Sequence, residues 1–346
     1  MKKKGITGII IAICMVLVLA LGVPLLGGCG QEAELKIGLT QFATHPAADA
    51  GRIGFMDALA DNGFVQPGDT CPEGMTRVDV DFDYQNPEGD PTTEQTIAQK
   101  FVNDKVDMIF SFGTRISQQC VNAAKGTDIP VVFCAITDPV AAELVSDWHH
   151  PNENVTGTSD KIEVDSNVEL ILDIVPGLKK LGTLYNSGEV NSVVLNDELK
   201  EVCADRGIEL FEVTVSTSAE VQTAAQSLVG KVDVIWIGTD NTVVSGLEAL
   251  IKVCEDNQIP FFPSDDPSIE KGGIATLGFD YYDVGYQTGL MAVRILKGTP
   301  ASAIDVELGN IFTYTVNTKA AEIYGVTIPR SILDKAGTVY TEVRHK

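Results

Sequence analysis

The stretch Met108-Ile-Phe-Ser-Phe-Gly-Thr-Arg-Ile-Ser-Gln-Gln-Cys-Val-Asn-Ala-Ala-Lys-Gly-Thr-Asp-Ile-Pro-Val-Val-Phe-Cys-Ala135 decides the architecture. Met108 to Phe112 is apolar but for Ser111 and too short for a helix, the pattern of a strand buried on both faces. Gly113-Thr114 interrupts it. Ser117 to Lys125 then carries helical spacing, Gly126 stops it, and Val131 to Ala135 is a second buried strand. A strand, a crossover helix and a strand form a βαβ unit with parallel strands.

The same rhythm extends in both directions. Leu35 to Leu39 reads as a strand, and Ala47 to Asn62 as a helix with Ile53, Phe55, Met56 and Leu59 inward. Thr76 to Tyr84 alternates as a strand, and Thr92 to Asn103 is a helix. A second series follows Asn154, with strands at Lys180–Tyr185, Ile208–Val213, Val232–Ile237, Pro260–Pro263 and Ile274–Phe279. Its helices are Asn191–Arg206, Ala219–Leu228 and Thr242–Asp256. Two such series in 346 residues imply an α/β chain of two doubly wound, Rossmann-like lobes. The helix Val284 to Lys297 is expected to return to the first lobe, and Tyr314 to Leu333 to close on the second. The N-terminal lobe is then 35–156 with 283–313, and the C-terminal lobe 157–282 with 314–340. Several crossings make a hinge, and a hinge makes a cleft.

Composition narrows the function. Acidic residues outnumber basic ones 48 to 25, a net charge of −23, which argues against nucleic acid. The N-terminus is a leader rather than part of the fold. Lys2, Lys3 and Lys4 precede an apolar run from Ile6 to Val23, and small residues lead to Cys29. Residues 1–28 read as a signal peptide and 29–34 as a tether. An uncleaved transmembrane helix is the other reading, and both put the remaining chain outside the cytoplasm. Five more cysteines follow Cys29, an odd number without C-x-x-C spacing, so neither a disulfide framework nor a metal site is signalled.

In open parallel sheets ligands bind where loops leave the carboxyl ends of strands. Here those loops read Thr40-Gln41-Phe42 with His45, Ser111 to Arg115, Thr137-Asp138-Pro139, Asn186-Ser187-Gly188, Thr239 to Thr242, and Ser264-Asp265-Asp266. Such residues also cap helices. As a set, polar clusters ringing one edge of two sheets describe a cleft.

Several of these stretches carry a family resemblance. They are Lys36-Ile-Gly-Leu-Thr-Gln41 with His45-Pro46, Tyr84-Gln-Asn-Pro-Glu-Gly-Asp90, Thr137-Asp138-Pro139-Val140, Asn154-Val-Thr-Gly157, Leu184-Tyr-Asn186 with Asn191-Ser192, Gly238-Thr-Asp-Asn-Thr-Val-Val244, and Thr276-Leu-Gly-Phe-Asp-Tyr-Tyr-Asp283. In this order the chain resembles the type I periplasmic-binding-fold lipoproteins of ABC importers, in the tryptophan and tyrosine uptake group. Leu26-Gly27-Gly28-Cys29 resembles a bacterial lipobox, implying lipidation at Cys29 and attachment to the cell membrane. The resemblance implies an amino-acid-like solute, a permease and an ATPase as partners, no cofactor and no enzymatic activity. Hydroxyls at Ser111, Thr114 and Thr137 beside helix N-termini suit a carboxylate. Asp240, then Asp265, suit the ammonium. The remaining candidate ligand residues are Thr40, Gln41, His45, Asp138, Tyr185, Asn186, Asn241 and Asp280. Phe42, Phe112, Tyr185, Phe279, Tyr281 and Tyr282 are candidates for an apolar wall.

Arg115 departs from the small residue expected there. It reads either as a solvated helix-start residue or as a clamp for an acidic or keto-acid solute. Trp148-His149-His150 reads as a surface loop. No G-x-S-x-G, P-loop, G-x-G-x-x-G or H-E-x-x-H motif supports an enzyme. A tethered sensor lipoprotein of the same fold is the other alternative.

Overall fold

The computed structural model describes residues 35–149, 151, 154–310 and 312–344. Cys29, the leader, the tether and His150 lie outside the described residues. From the N-terminus run β1 (Leu35–Gln41), α1 (Pro46–Asp61), β2 (Phe64–Val65), β3 (Val78–Gln85), α2 (Pro91–Asn103), β4 (Met108–Phe112), α3 (Thr114–Ala124), β5 (Val131–Cys134) and β6 (Val155–Ser159). Then come α4 (Val164–Ile174), β7 (Lys180–Tyr185), α5 (Val190–Arg206), β8 (Glu209–Thr214), α6 (Val221–Leu228), β9 (Val234–Ile237), α7 (Asn241–Ser245), α8 (Leu247–Asp256), β10 (Phe261–Pro263), α9 (Asp266–Lys271) and β11 (Ala275–Phe279). The chain ends with α10 (Tyr281–Leu296), β12 (Glu307–Leu308), β13 (Phe312–Asn317), α11 (Thr318–Tyr324), α12 (Arg330–Leu333) and β14 (Ala336–Tyr340).

A seven-stranded parallel sheet has the order β12-β6-β5-β4-β1-β3-β2, and a four-stranded parallel sheet the order β10-β9-β7-β8. The larger sheet is wound on both faces. Met108, Phe110 and Phe112 of β4 pack with Phe55 and Leu59 of α1, whereas Ile109 joins Phe101 and Ile116 of α2 and α3 on the opposite face. This is the alternation that a two-sided strand requires. Strand order reverses between β1 and β4 and again between β7 and β9, and loops diverge at such points to leave a crevice.

The helix α10 lies on α1 with backbone against backbone. A Cβ on Gly285 would stand 1.9 Å from the Gly51 carbonyl oxygen, and one on Gly54 would stand 2.1 Å from that of Tyr282. Ile53, expected inward, is exposed because it lies about 200° around the helix from Phe55. Thr242–Asp256 is two helices broken at Gly246 rather than one.

A third sheet, β11-β13-β14, was not anticipated, and β13 runs antiparallel to β11. The crossings expected at 156/157, 282/283 and 313/314 fall just inside β6, α10 and β13. Among the described residues no helix is long and apolar enough to cross a membrane.

Candidate ligand-binding site

The loops that leave β1, β4, β5 and β6 of the large sheet face those that leave β7, β9 and β10 of the smaller one. Between them lies an internal space lined by residues from both sheets, among them His45, Phe112, Thr137, Asp240, Asp265 and Tyr281. Two hydrogen bonds span the crevice: His45 Nε2 with Asn241 Oδ1 at 3.3 Å, and Thr137 Oγ1 with Thr239 Oγ1 at 3.1 Å. The ring of His45 also caps α1, its Nδ1 accepting from the Ala48 N–H at 3.3 Å. With Nδ1 an acceptor, Nε2 carries the proton and donates to Asn241. Burial pushes the His45 pKa down to about 4, so the ring is neutral near pH 7.

Asn241 is held from behind by Glu189, which is itself buried. One Glu189 oxygen accepts from the Asn241 side-chain amide at 2.7 Å, and the other from Thr242 Oγ1 at 2.6 Å.

The wall carries three buried carboxylates. Asp160 accepts from Thr137 Oγ1 at 3.2 Å and from the Tyr281 hydroxyl at 2.8 Å. Asp240 accepts the Asn186 N–H at 2.6 Å and caps α7 through the Val243 N–H at 2.7 Å. Asp265 caps α9 through the Ser268 N–H and hydroxyl. Burial raises the pKa of all three, and for Asp240 the nearby Glu189 carboxylate adds to it, bringing it to about 7. Among the described residues no Lys or Arg lines this cavity.

A complementary feature sits on the large-sheet side, opposite Asp240 and Asp265. The helix α3 begins at Thr114 on the cavity, and its N-cap, Gly113, offers no side chain to its first N–H groups. Gly113 has φ 96°, a conformation glycine adopts without strain. An uncapped helix start presents N–H groups and the positive dipole end to an anion. The ring of Phe112 is 5.9 Å from that of Tyr281, and with Val244 these form the apolar part. Ala135, also on the wall, is held at φ 57°, a strained conformation for a residue with a side chain.

Of the residues expected from sequence, His45, Thr114, Thr137, Asp240, Asn241 and Asp265 line this cavity. The others lie elsewhere. Thr40 is buried within β1, and Ser111 bonds Ser117 behind α3. Gln41 ties Ala43, Asp49 and Arg52 together. Asp138 closes its own turn onto Val140 and Ala141, and the Tyr185 hydroxyl donates to Glu212. Asn186 supports Asp240 and Thr242, and Asp280 caps α10. Of the aromatic candidates only Phe112 and Tyr281 reach the wall. Asp160 was missed because Val155-Thr-Gly-Thr-Ser159 is too small and polar to read as a strand, which hid the loop behind it. Asn191 sits at the start of an expected helix and Thr239 in an expected loop, and neither was among the candidate ligand residues.

Arg115 turns away from the cavity. Its guanidinium makes a bidentate pair with Glu94 at 2.9–3.0 Å, covers the Phe42 ring at 4.7 Å and lines a neighbouring crevice. The Glu94 side chain is fully buried, so the arginine is structural. Replacing Arg115 by Met is expected to lower stability by roughly 3 kcal/mol, because a buried carboxylate loses its partner. Affinity for a neutral amino acid should stay within about threefold. Thermal melts and titration calorimetry check both, and a large loss of affinity with an unchanged melt would reverse the assignment.

Residues 36–340 match the family described as ABC transporter substrate binding protein. The tyrosine-binding protein of Clostridioides difficile (strain R20291) is 38% identical over 320 residues, 88% of either chain. An ABC domain from Streptococcus pneumonia, solved in complex with L-Trp, is 34% identical with a TM-score of 0.81, covering 89% of this chain and 100% of that one. A substrate-binding protein with adhesive properties from Clostridium difficile, solved ligand-free and open, is 39% identical over the same shares but has a TM-score of 0.64. This structure therefore superposes more closely on the Trp complex than on the open, ligand-free protein. The two-sheet arrangement is the type I periplasmic-binding fold. From Lys36 to Tyr340, then, the chain belongs to the substrate-binding proteins of ABC transporters.

Proposed function

We propose that the protein captures an aromatic α-amino acid outside the cytoplasm and presents it, closed between two lobes, to an ABC permease and its ATPase. The observation that carries this is the cavity's chemistry: buried Asp240 and Asp265 face an uncapped helix start across an aromatic wall, with buried Asp160 on the helix's own side and no Lys or Arg among the described lining residues. An ammonium group answers Asp240, Asp265 and Asp160, a carboxylate answers α3, and a ring lies with Phe112 and Tyr281. The lobes are taken as 35–159 with 281–310, and 160–280 with 312–340. Their contacts to the two ends of one zwitterion make closure depend on ligand. The names of the relatives, which bind tyrosine and tryptophan, point the same way.

Burying an aromatic side chain of ~150–250 Å² at ~25 cal/mol/Å² contributes about 4–6 kcal/mol, and micromolar binding needs about 8 kcal/mol. The ring therefore supplies most of the affinity and the buried charges set the class of solute. An acidic solute loses its support, since the arginine that would clamp it is engaged by Glu94. Calorimetric titration with Tyr, Trp, Phe, Leu and Glu tests this. At least one aromatic amino acid should bind with micromolar or tighter affinity, and a preference for Glu would refute it.

Binding should be linked to protons. The Asp240 carboxyl sits at about 7 without ligand, and an ammonium beside it favours the ionised form, lowering that value. Affinity should rise with pH up to about 7 and level off above it. Below that it should fall by up to about tenfold per pH unit. Calorimetry in buffers of differing ionisation enthalpy would register the released proton, and a flat profile from pH 5 to 8 would contradict the role of Asp240.

The anchoring is part of the proposal. Cys29 is taken as the lipidated first residue of the mature chain. Cys29→Ser should move the protein from the membrane to the soluble fraction and abolish labelling by a radioactive fatty acid. Retention in the membrane without label would favour an uncleaved apolar anchor.

A further inference from the structure

We infer that Asn191 reads a hydrogen-bond donor on the ligand's ring, so that the site selects a phenol or indole over a plain phenyl group. This rests on the aromatic amino-acid reading and adds to it the residue that discriminates among such solutes.

Asn191, in the first turn of α5, lines the cavity and is 3% exposed. Its Nδ2 donates to the Thr239 carbonyl oxygen at 2.6 Å and to Ser192 Oγ at 3.3 Å. That fixes the amide: the reverse orientation would set two acceptor oxygens against each other at 2.6 Å. The end left over is Oδ1, a pure acceptor, buried and with no hydrogen-bond partner among the described residues. Buried acceptors without partners are uncommon and ask for an explanation.

Matching the remaining groups assigns its partner. The zwitterion's ammonium has the three carboxylates, and its carboxylate has the start of α3. On an aromatic amino acid the one polar group then left is a ring donor, the O–H of a phenol or the N–H of an indole. A carbonyl-type oxygen that cannot turn away is suited to that donor and penalises its absence, because a plain phenyl ring would leave it desolvated and unpaired. Sites built around such a bond reject the analogue that lacks it more strongly than apolar pockets reject a missing methylene.

The experiment compares L-tyrosine with L-phenylalanine, and L-tryptophan with 3-benzothienyl-L-alanine, on the unmodified protein and on Asn191→Ala. For the tighter-binding pair, the unmodified protein should favour the donor-bearing ligand by at least about tenfold. Asn191→Ala should bring the two within about threefold, by weakening the donor-bearing ligand while leaving its analogue unchanged or tighter. Equal weakening of both members would overturn the inference, as would a lack of discrimination in the unmodified protein, which needs no variant to fold. Failure of every aromatic amino acid to bind would instead overturn the functional proposal on which this one stands.

Discussion

Removing the α-amino group from an aromatic ligand, with the protein unchanged, is expected to weaken binding about a hundredfold or more. Asp160, Asp240 and Asp265 are each no more than 3% exposed, and among the described residues no lysine or arginine shares their cavity. Losing one member of a buried, hydrogen-bonded charge pair costs about 2–5 kcal/mol. The lower half of that range applies, because Asp240 at about 7 can take a proton and shed part of the penalty. About 3 kcal/mol corresponds to a little over two orders of magnitude. The matching variant is Asp240→Asn, which keeps an oxygen able to accept from the Val243 N–H. It should weaken the amino acid strongly and the desamino acid little, so that the two changes fail to add. Competition between tyrosine and its desamino analogue reads the effect, and analogues binding within threefold of each other would remove the ammonium from the account.

The second large effect concerns the scaffold. Gly285→Ala should lower stability by at least about 3 kcal/mol, beyond the usual range for an added methyl group in a core. Its Cβ would meet a backbone carbonyl at 1.9 Å, and backbone, unlike a side chain, cannot rotate away. The helices α1 and α10 would have to separate, and α1 begins at the His45 cap that touches Asn241 across the crevice. A fall in Tm of roughly 5–10 °C is expected, with weaker ligand binding as a consequence. On the same helix, exposed Leu290→Ala should change Tm little. A Gly285→Ala protein melting within a degree or two of the original would mean that the helices are not packed as described.

What was legible in the sequence follows from what each residue must do. Met108 to Phe112 and Val131 to Cys134 are buried on both faces, so apolar runs mark them, broken only by Ser111, and Gly126 punctuates the end of the helix between them. The loops of the site were legible for the same reason, since they begin where those runs end. Val155–Ser159 hid itself because its neighbours leave no room for large side chains: a Cβ on Gly157 would lie 2.0 Å from the Phe133 carbonyl oxygen. With that strand unseen, Asp160 was unseen too.

Side-chain direction was the other blind spot. Ser111, at the end of β4, and Asn186 and Asp280, just past their strands, lie near the site, yet their polar atoms serve the local backbone and neighbouring side chains. Whether a strand-end Asp caps a helix or faces a cavity depends on a rotation that one sequence does not encode, and Asp240 and Asp265 cap helices while lining the cavity. Arg115 was ambiguous because its partner, Glu94, lies on a different helix.

A crystal structure grown with saturating L-tyrosine or L-tryptophan bears on all of this at once. The amino acid should lie between the two sheets with its ammonium against Asp240, Asp265 or Asp160, its carboxylate at the start of α3, and its ring beside Phe112 and Tyr281. A ligand seated on an outer surface, or reversed so that its carboxylate faces those aspartates, would contradict the account.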